Sequence, residues 1–232
     1  MRRFVFVFCF LFFVIDSHAQ YKTGEELVAV MHKRYYKAPC KIYSFSQRNT
    51  HYKADTVSGH SEWHEVIEFP DKFRIDFGNK SDGNFVVFKN DSVFNYKAGK
   101  QVKLRADSNT LLLLLGGMYY RPLEDVFARV KIQGYDLNIL SSQVWNGEEV
   151  FVIGAKENDL SRNQFWVNKK TLRVLRIIEA RGENDKMDMR FEAHQDWCKG
   201  YVETKVSFRR NGKLEQVEEY YDIKEATSFP ER

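Results

Sequence analysis

Three groups of side chains in this chain have the residue types for chemistry. His51, His60 and His64 lie within fourteen positions of one another, and His60 and His64 share a strand face. A zinc site would need closer ligand spacing or a cysteine partner, and neither is there, so ordinary solvent-facing or core histidines are expected and no metal is assigned. Asp188, Glu192 and Asp196 alternate with Met187, Met189, Phe191 and Ala193, with Arg190 and His194 on the charged side. That alternation reads as a solvated outer strand face rather than an acid–base pair converging on a pocket. Cys40 and Cys198 are the third group. In an oxidising compartment they would form a disulfide tying the end of a helix to a late strand; the other reading is two separate buried thiols. No Gly-x-Ser-x-Gly, phosphate-cradling glycine loop or nucleophile with an evident base occurs, so no catalytic residue and no cofactor are expected.

What remains is apolar. The stretch Glu62 to Phe77 reads as two strands meeting at Phe69-Pro70-Asp71-Lys72. Trp63, Ile67 and Phe69 fall on one face, interrupted by Glu65; Phe73, Ile75 and Phe77 fall on one face of the next strand, with Arg74 and Asp76 on the other. Pro70 has no N–H for a ladder and suits the corner.

The elements around this wall follow from pattern. Met1-Arg2-Arg3, the apolar Phe4 to Ile15 and the small-x-small Ser17-His18-Ala19 have the layout of a secretory signal peptide over residues 1–19. The mature chain, 20–232, is then expected to be periplasmic, soluble and monomeric. Its charges of both signs are interleaved, which leaves no basic stripe for nucleic acid. Thr23-Gly24-Glu25-Glu26 has capping-box spacing before Leu27, Val28, Val30, Met31 and Tyr35, so a helix is expected up to Pro39. Strands follow over Ile42–Gln47, the Glu62–Phe77 pair, Asn84–Phe88 and Ser92–Tyr96, with connectors short enough to force antiparallel neighbours. Asp107-Ser108-Asn109-Thr110 supplies N-cap candidates for a short helix Leu111–Leu115, with Gly116-Gly117 as its stop and a suitable hinge, and Pro122 opens a second helix. Five consecutive leucines show no amphipathic period, so this piece is buried all round or covers an apolar opening. Further strands run from Leu137 to Ile223, with Asn146-Gly147 and Asn211-Gly212 as tight hairpins. The expectation is one α+β domain: a single curved antiparallel sheet, an open half-barrel of about eleven strands, with the N-terminal helix and the helical insertion on its concave face.

This order of elements resembles the periplasmic lipoprotein-carrier superfamily, the LolA/LolB-like fold. The resemblance is carried by Trp63, Pro70 and Phe73 in a Trp-x(6)-Pro-x-x-Phe pattern, by Phe85-Val86-Val87-Phe88, by Phe94-Asn95-Tyr96-Lys97, by the Asn109–Leu115 insertion, and by Phe165 to Val174. It covers nearly all of the mature chain. It implies an apolar cavity for a lipid or the acyl chains of a lipoprotein under a helical lid. The ligand residues expected are Trp63, Ile67, Phe69, Phe73, Ile75, Phe77, Phe85, Val87, Phe94, Tyr96, Leu111, Leu112, Leu115, Met118, Phe165 and Val167. One departure stands out: sorting carriers typically have an Arg before that Pro, and here the residue is Phe69. The function expected is a non-enzymatic carrier or chaperone. The alternative is an envelope protein-interaction or sensing module with a closed core on the same fold.

Overall fold

The computed structural model describes residues 21–182 and 184–231. The expected signal peptide lies outside the described residues. Helix α1, Gly24–Tyr35, starts where Thr23 Oγ1 accepts from the Glu26 N–H (3.2 Å), while the Glu26 carboxylate accepts from the Lys22 N–H (2.7 Å). The helix presents Leu27, Val28, Met31 and Tyr35 to the sheet.

Six antiparallel strands form the first wing: β1 (Ile42–Lys53), β2 (Thr56–Glu68), β3 (Lys72–Phe77), β4 (Phe85–Lys89), β5 (Ser92–Lys97) and β6 (Lys100–Ala106). The turns Ala54-Asp55, Asn90-Asp91 and Ala98-Gly99 each place two consecutive residues at positive φ, the geometry a two-residue hairpin turn demands. Next come α2 (Thr110–Leu114), a short 3-10 turn (Gly117–Tyr120) and α3 (Leu123–Ile132). The second wing holds β7 (Leu140–Trp145), β8 (Glu148–Ile153), β9 (Gln164–Asn168), β10 (Val174–Ala180), β11 (Lys186–Glu192), the small ribbon β12 (Gln195–Trp197) and β13 (Gly200–Val202), β14 (Lys205–Arg210) and β15 (Lys213–Glu225).

One sheet of thirteen strands results, in the order β6-β5-β4-β3-β2-β1-β15-β14-β11-β10-β9-β8-β7, with β12–β13 apart from it. It is an open α+β sheet with its helices on one face. The count exceeds the expected eleven in part through β6, an edge strand exposed along its whole length in which Val102 and Leu104 alternate with Lys103 and Arg105; β12–β13 are two further strands outside this sheet. Pairing of β1 with β15 joins the two wings at the middle of the sheet.

The helix-covered face holds two cores. Under α1 and α3, Val126, Val130, Phe165, Val167, Ile177, Phe191 and Val206 pack with Leu27 and Met31 into the main one. Under the end of α2, Tyr43, Phe45, Phe69, Leu112 and Val202 form the smaller one. The five leucines are shared between these environments: Leu113 and Leu114 are buried in the main core, Leu112 in the smaller one, and the partly buried Leu111 and Leu115 pack against the main core while lining, with Leu112, the space beside the first wing. A helix apolar all round thus serves both roles that its sequence permits.

Cys40, just before β1, and Cys198, in the β12–β13 turn, stand 5.6 Å apart at Cα with their sulfurs in contact. That separation suits a disulfide.

Candidate ligand-binding site

Where the two wings meet, the sheet and α2 leave a cavity of about 110 Å³. Its walls come from both wings. On β1 and β2 stand Tyr43, Phe45, Trp63, Glu65, Ile67 and, at the corner, Phe69; β3 adds Phe73 and Ile75. Phe208 and Tyr220 close the side formed by β14 and β15, and Leu111, Leu112 and Leu115 form the roof. Strand register explains the convergence: Phe45 faces Glu65, Tyr43 faces Ile67, Ile67 faces Phe73 and Glu65 faces Ile75 across the ladders. In a pleated sheet, directly opposed residues share a face.

Eight of the sixteen expected ligand residues line this cavity: Trp63, Ile67, Phe69, Phe73, Ile75, Leu111, Leu112 and Leu115. Phe77 shares their face but sits at the rim, edge-to-face on Trp63 at 5.1 Å between ring centroids. Met118, Phe165 and Val167 are buried in the main core, away from the cavity.

Phe85, Val87, Phe94 and Tyr96 lie on the opposite face of the sheet, which corrects the expectation for them. On β4 the residues opposite Phe73 and Ile75 are Phe88 and Val86, so Phe85 and Val87 pair with Asp76 and Arg74 instead. They pack with Val66 and the C-terminal Phe229. There they bury an ion pair: Arg74 donates to both carboxylate oxygens of Asp76 (2.6 and 2.8 Å), and its guanidinium lies 3.8 Å over the Phe85 ring. The run Phe85-Val86-Val87-Phe88 is apolar at every position, so a period of two could not choose a face.

The other chemistry-bearing groups do not converge. His51 hydrogen-bonds to Ser61 (2.8 Å) on the helix-covered face, whereas His60 contacts Thr50 and His64 contacts Ser46 (2.9 Å) on the other. Asp188 is not the solvated residue that its alternation implied. It is buried between Arg176, which donates at 2.7 and 2.8 Å, and Arg190 at 3.0 Å, in an outer patch capped by Trp145 and Trp166. Burial opposes its ionisation, but the hydrogen bonds from Arg176 and Arg190 prevail and hold Asp188 below the usual carboxylate range.

The suggested hinge is also tightly packed. A Cβ on Gly116 would overlap the Phe69 ring, and one on Gly117 would meet the Leu112 and Pro70 carbonyl oxygens at 2.6 Å. These glycines bring the α2 segment onto the β2–β3 corner.

Three acids in the cavity were not assigned from sequence: Glu65, Glu203 and Glu218, all buried. Glu65 left a signal, as the one charge interrupting the Trp63–Phe69 face. Glu203 and Glu218 left none, since both sit among the alternating charges of a C-terminal hairpin. Glu218 accepts from Tyr220 Oη (2.7 Å) and from Gln216 Nε2 (2.7 Å), which also reaches Asn49 Oδ1 (3.0 Å). Burial pushes the Glu203 and Glu218 carboxyls up to about 7. Burial, with Glu218 adding repulsion, raises Glu65 well above the carboxylate range.

Neither protein-family models nor curated proteins match the sequence. Solved structures do match by shape. An outer-membrane lipoprotein-sorting protein domain from Vibrio parahaemolyticus superposes with a TM-score of 0.62 at 14% identity, over 90% of this chain and 94% of that one. A LolA superfamily protein from Nitrosomonas europaea gives 0.58 at 11% identity, over 90% and 95%. A DUF1329 family protein from Desulfovibrio piger gives 0.58 at 16% identity, over 89% and 93%. At such identities the likeness is one of fold. The chain adopts the LolA-like fold.

Proposed function

We propose that this protein is an exported, non-enzymatic carrier that shields a lipid, or the acyl chains of a lipoprotein, in the cavity beneath α2. The observation that carries the reading is the convergence of aromatic side chains from β1, β2 and β3 with three leucines of the α2 segment around one apolar space. Apolar pockets that a few polar groups interrupt are the usual setting for such ligands. The sorting domain from Vibrio parahaemolyticus supports the same reading through its fold.

Each buried methylene contributes about 0.8 kcal/mol, so ten would give about 8 kcal/mol toward holding a chain. The space of about 110 Å³ is smaller than ordinary ligand sites of roughly 300–1,000 Å³. Uptake therefore requires the cavity to widen beneath the leucine roof, with Leu113 and Leu114 holding α2 in the main core.

That small volume also favours a second reading, an envelope interaction or sensing module whose core stays closed. Native mass spectrometry with lipid extraction, on protein purified from its own envelope, separates the two. The carrier reading expects a bound acyl species that disappears on denaturation. No acyl species, together with no uptake of an uncharged fluorescent alkyl probe, would leave the closed module.

A further inference from the structure

An apolar cavity meant only for hydrocarbon has no use for carboxylates. This one has three. Glu65 from β2, Glu203 from the β13–β14 connection and Glu218 from β15 are all more than nine-tenths buried, and no Lys, Arg or His among the described residues lines the cavity to balance them. Glu218 has its two donors, but no side chain among the described residues donates to Glu65 or Glu203. Behind the wall, polar atoms of both kinds are unpaired: Gln47, wholly buried on β1 opposite Trp63 and Tyr220, has no hydrogen-bond partner at Oε1, and Asn49 has none at Nδ2. Glu65 and Glu203 are thus buried acceptors in the cavity wall with no side-chain donor and no cation beside them, and burying such groups unpaired is costly.

The three acids are not gathered for a bare metal ion. Among the described residues, the one trio of ligand atoms within 4.8 Å of each other is Cys40, Cys198 and Glu225, outside the cavity. Acceptors spread over an apolar wall suit an organic cation, which brings several N–H donors on a hydrocarbon body. An alkylammonium offers three donors and one positive charge. An anionic head, phosphate or carboxylate, would meet like charge where solvent screens it little.

We infer that the cavity selects an amphiphile with an apolar body and a cationic, N–H-donating amine head over one with an anionic head. This rests on the reading of the cavity as a ligand site. Glu65 and Glu203 would take the ammonium, and the aromatic wall with Leu111, Leu112 and Leu115 would take the chain. The raised protonation of Glu65 and Glu203 fits groups that lack a cation.

The test compares three probes of one chain length, dodecylamine, dodecanol and dodecanoate, titrated calorimetrically below their micelle concentrations into the full chain at pH 8. The expected order is amine, alcohol, carboxylate, with the amine at least about tenfold tighter than the alcohol, as one charge-assisted hydrogen bond allows. In Glu65→Gln combined with Glu203→Gln the amine-to-alcohol ratio should fall to near one. An alcohol or carboxylate that binds as well as the amine overturns the selectivity while leaving the carrier reading intact. So does a ratio unchanged in the double variant. If none of the three binds, the carrier reading falls and the selectivity with it.

Discussion

Gly116 lies flat against the ring of Phe69, so close that a single added methyl would overlap it. Phe69 is also stacked on Tyr120, with 5.8 Å between centroids, and the Tyr120 hydroxyl donates to the Pro39 carbonyl oxygen at 2.5 Å. Phe69 is therefore the clamp between the sheet corner and the leucine roof. Gly116→Ala should destabilise the fold by about 1–3 kcal/mol, the usual cost of overpacking. A thermal melt beside wild type checks this, and an unchanged midpoint would mean that the roof is not seated on Phe69.

Leu115 separates a carrier from a closed core. It faces the cavity from the roof while Leu113 and Leu114 hold the helix to the main core. Leu115→Glu should therefore leave the chain folded and abolish alkyl-probe uptake. Loss of the cooperative melt itself would favour the closed module.

Protonation of the cavity acids should make stability depend on pH near neutrality. For Glu203 and Glu218 the folded value, about 7, lies above the unfolded one, so the folded state holds the proton more tightly. The penalty for burying charge is then full above pH 7 and fades as pH falls toward 4.5, and urea melts should show greater stability at pH 5.5 than at pH 8. The gain should be on the order of a few kcal/mol at most. Asp188 acts in the opposite sense: its depressed value contributes stability at neutral pH that is lost as pH falls through it, so the profile should turn down again in acid. Glu218→Gln should flatten the neutral limb and spare the acid one.

Reduction of Cys40 and Cys198 should lower stability by about 2–4 kcal/mol, because the bridge closes a long loop of the unfolded chain. Intact mass with and without reductant, followed by a melt of each form, checks both the bond and its effect. Identical melts would point to two independent thiols.

The sequence made the fold legible because its strands are short, alternating and joined by turns such as Asn146-Gly147 and Asn211-Gly212, which leave antiparallel pairing as the one economical arrangement. It made half of the site legible for a related reason. Phe73 and Ile75 alternate with charges, and the spacing from Trp63 through Pro70 ties the neighbouring strand to the same face. Phe85, Val87, Phe94 and Tyr96 were misplaced because the face that a strand presents depends on its register with the next one, and a uniformly apolar run holds no record of it. Glu203 and Glu218 were invisible because their burial comes from the pairing of β15 with β1, far away in sequence, beneath the α2 segment. In sequence they look like any charge on a surface hairpin.

The central claim is that alkyl chains enter the space between the aromatic wall and the leucine roof. Photolabelling with an uncharged diazirine-bearing alkyl probe, mapped by peptide sequencing, tests it most directly. The account predicts label on residues 63–75 and 111–115, with the strongest signal near Phe73 and Leu115, and loss of that label in Leu115→Glu. Absence of label, or label confined to the outer face around Phe85 and Tyr96, would contradict it.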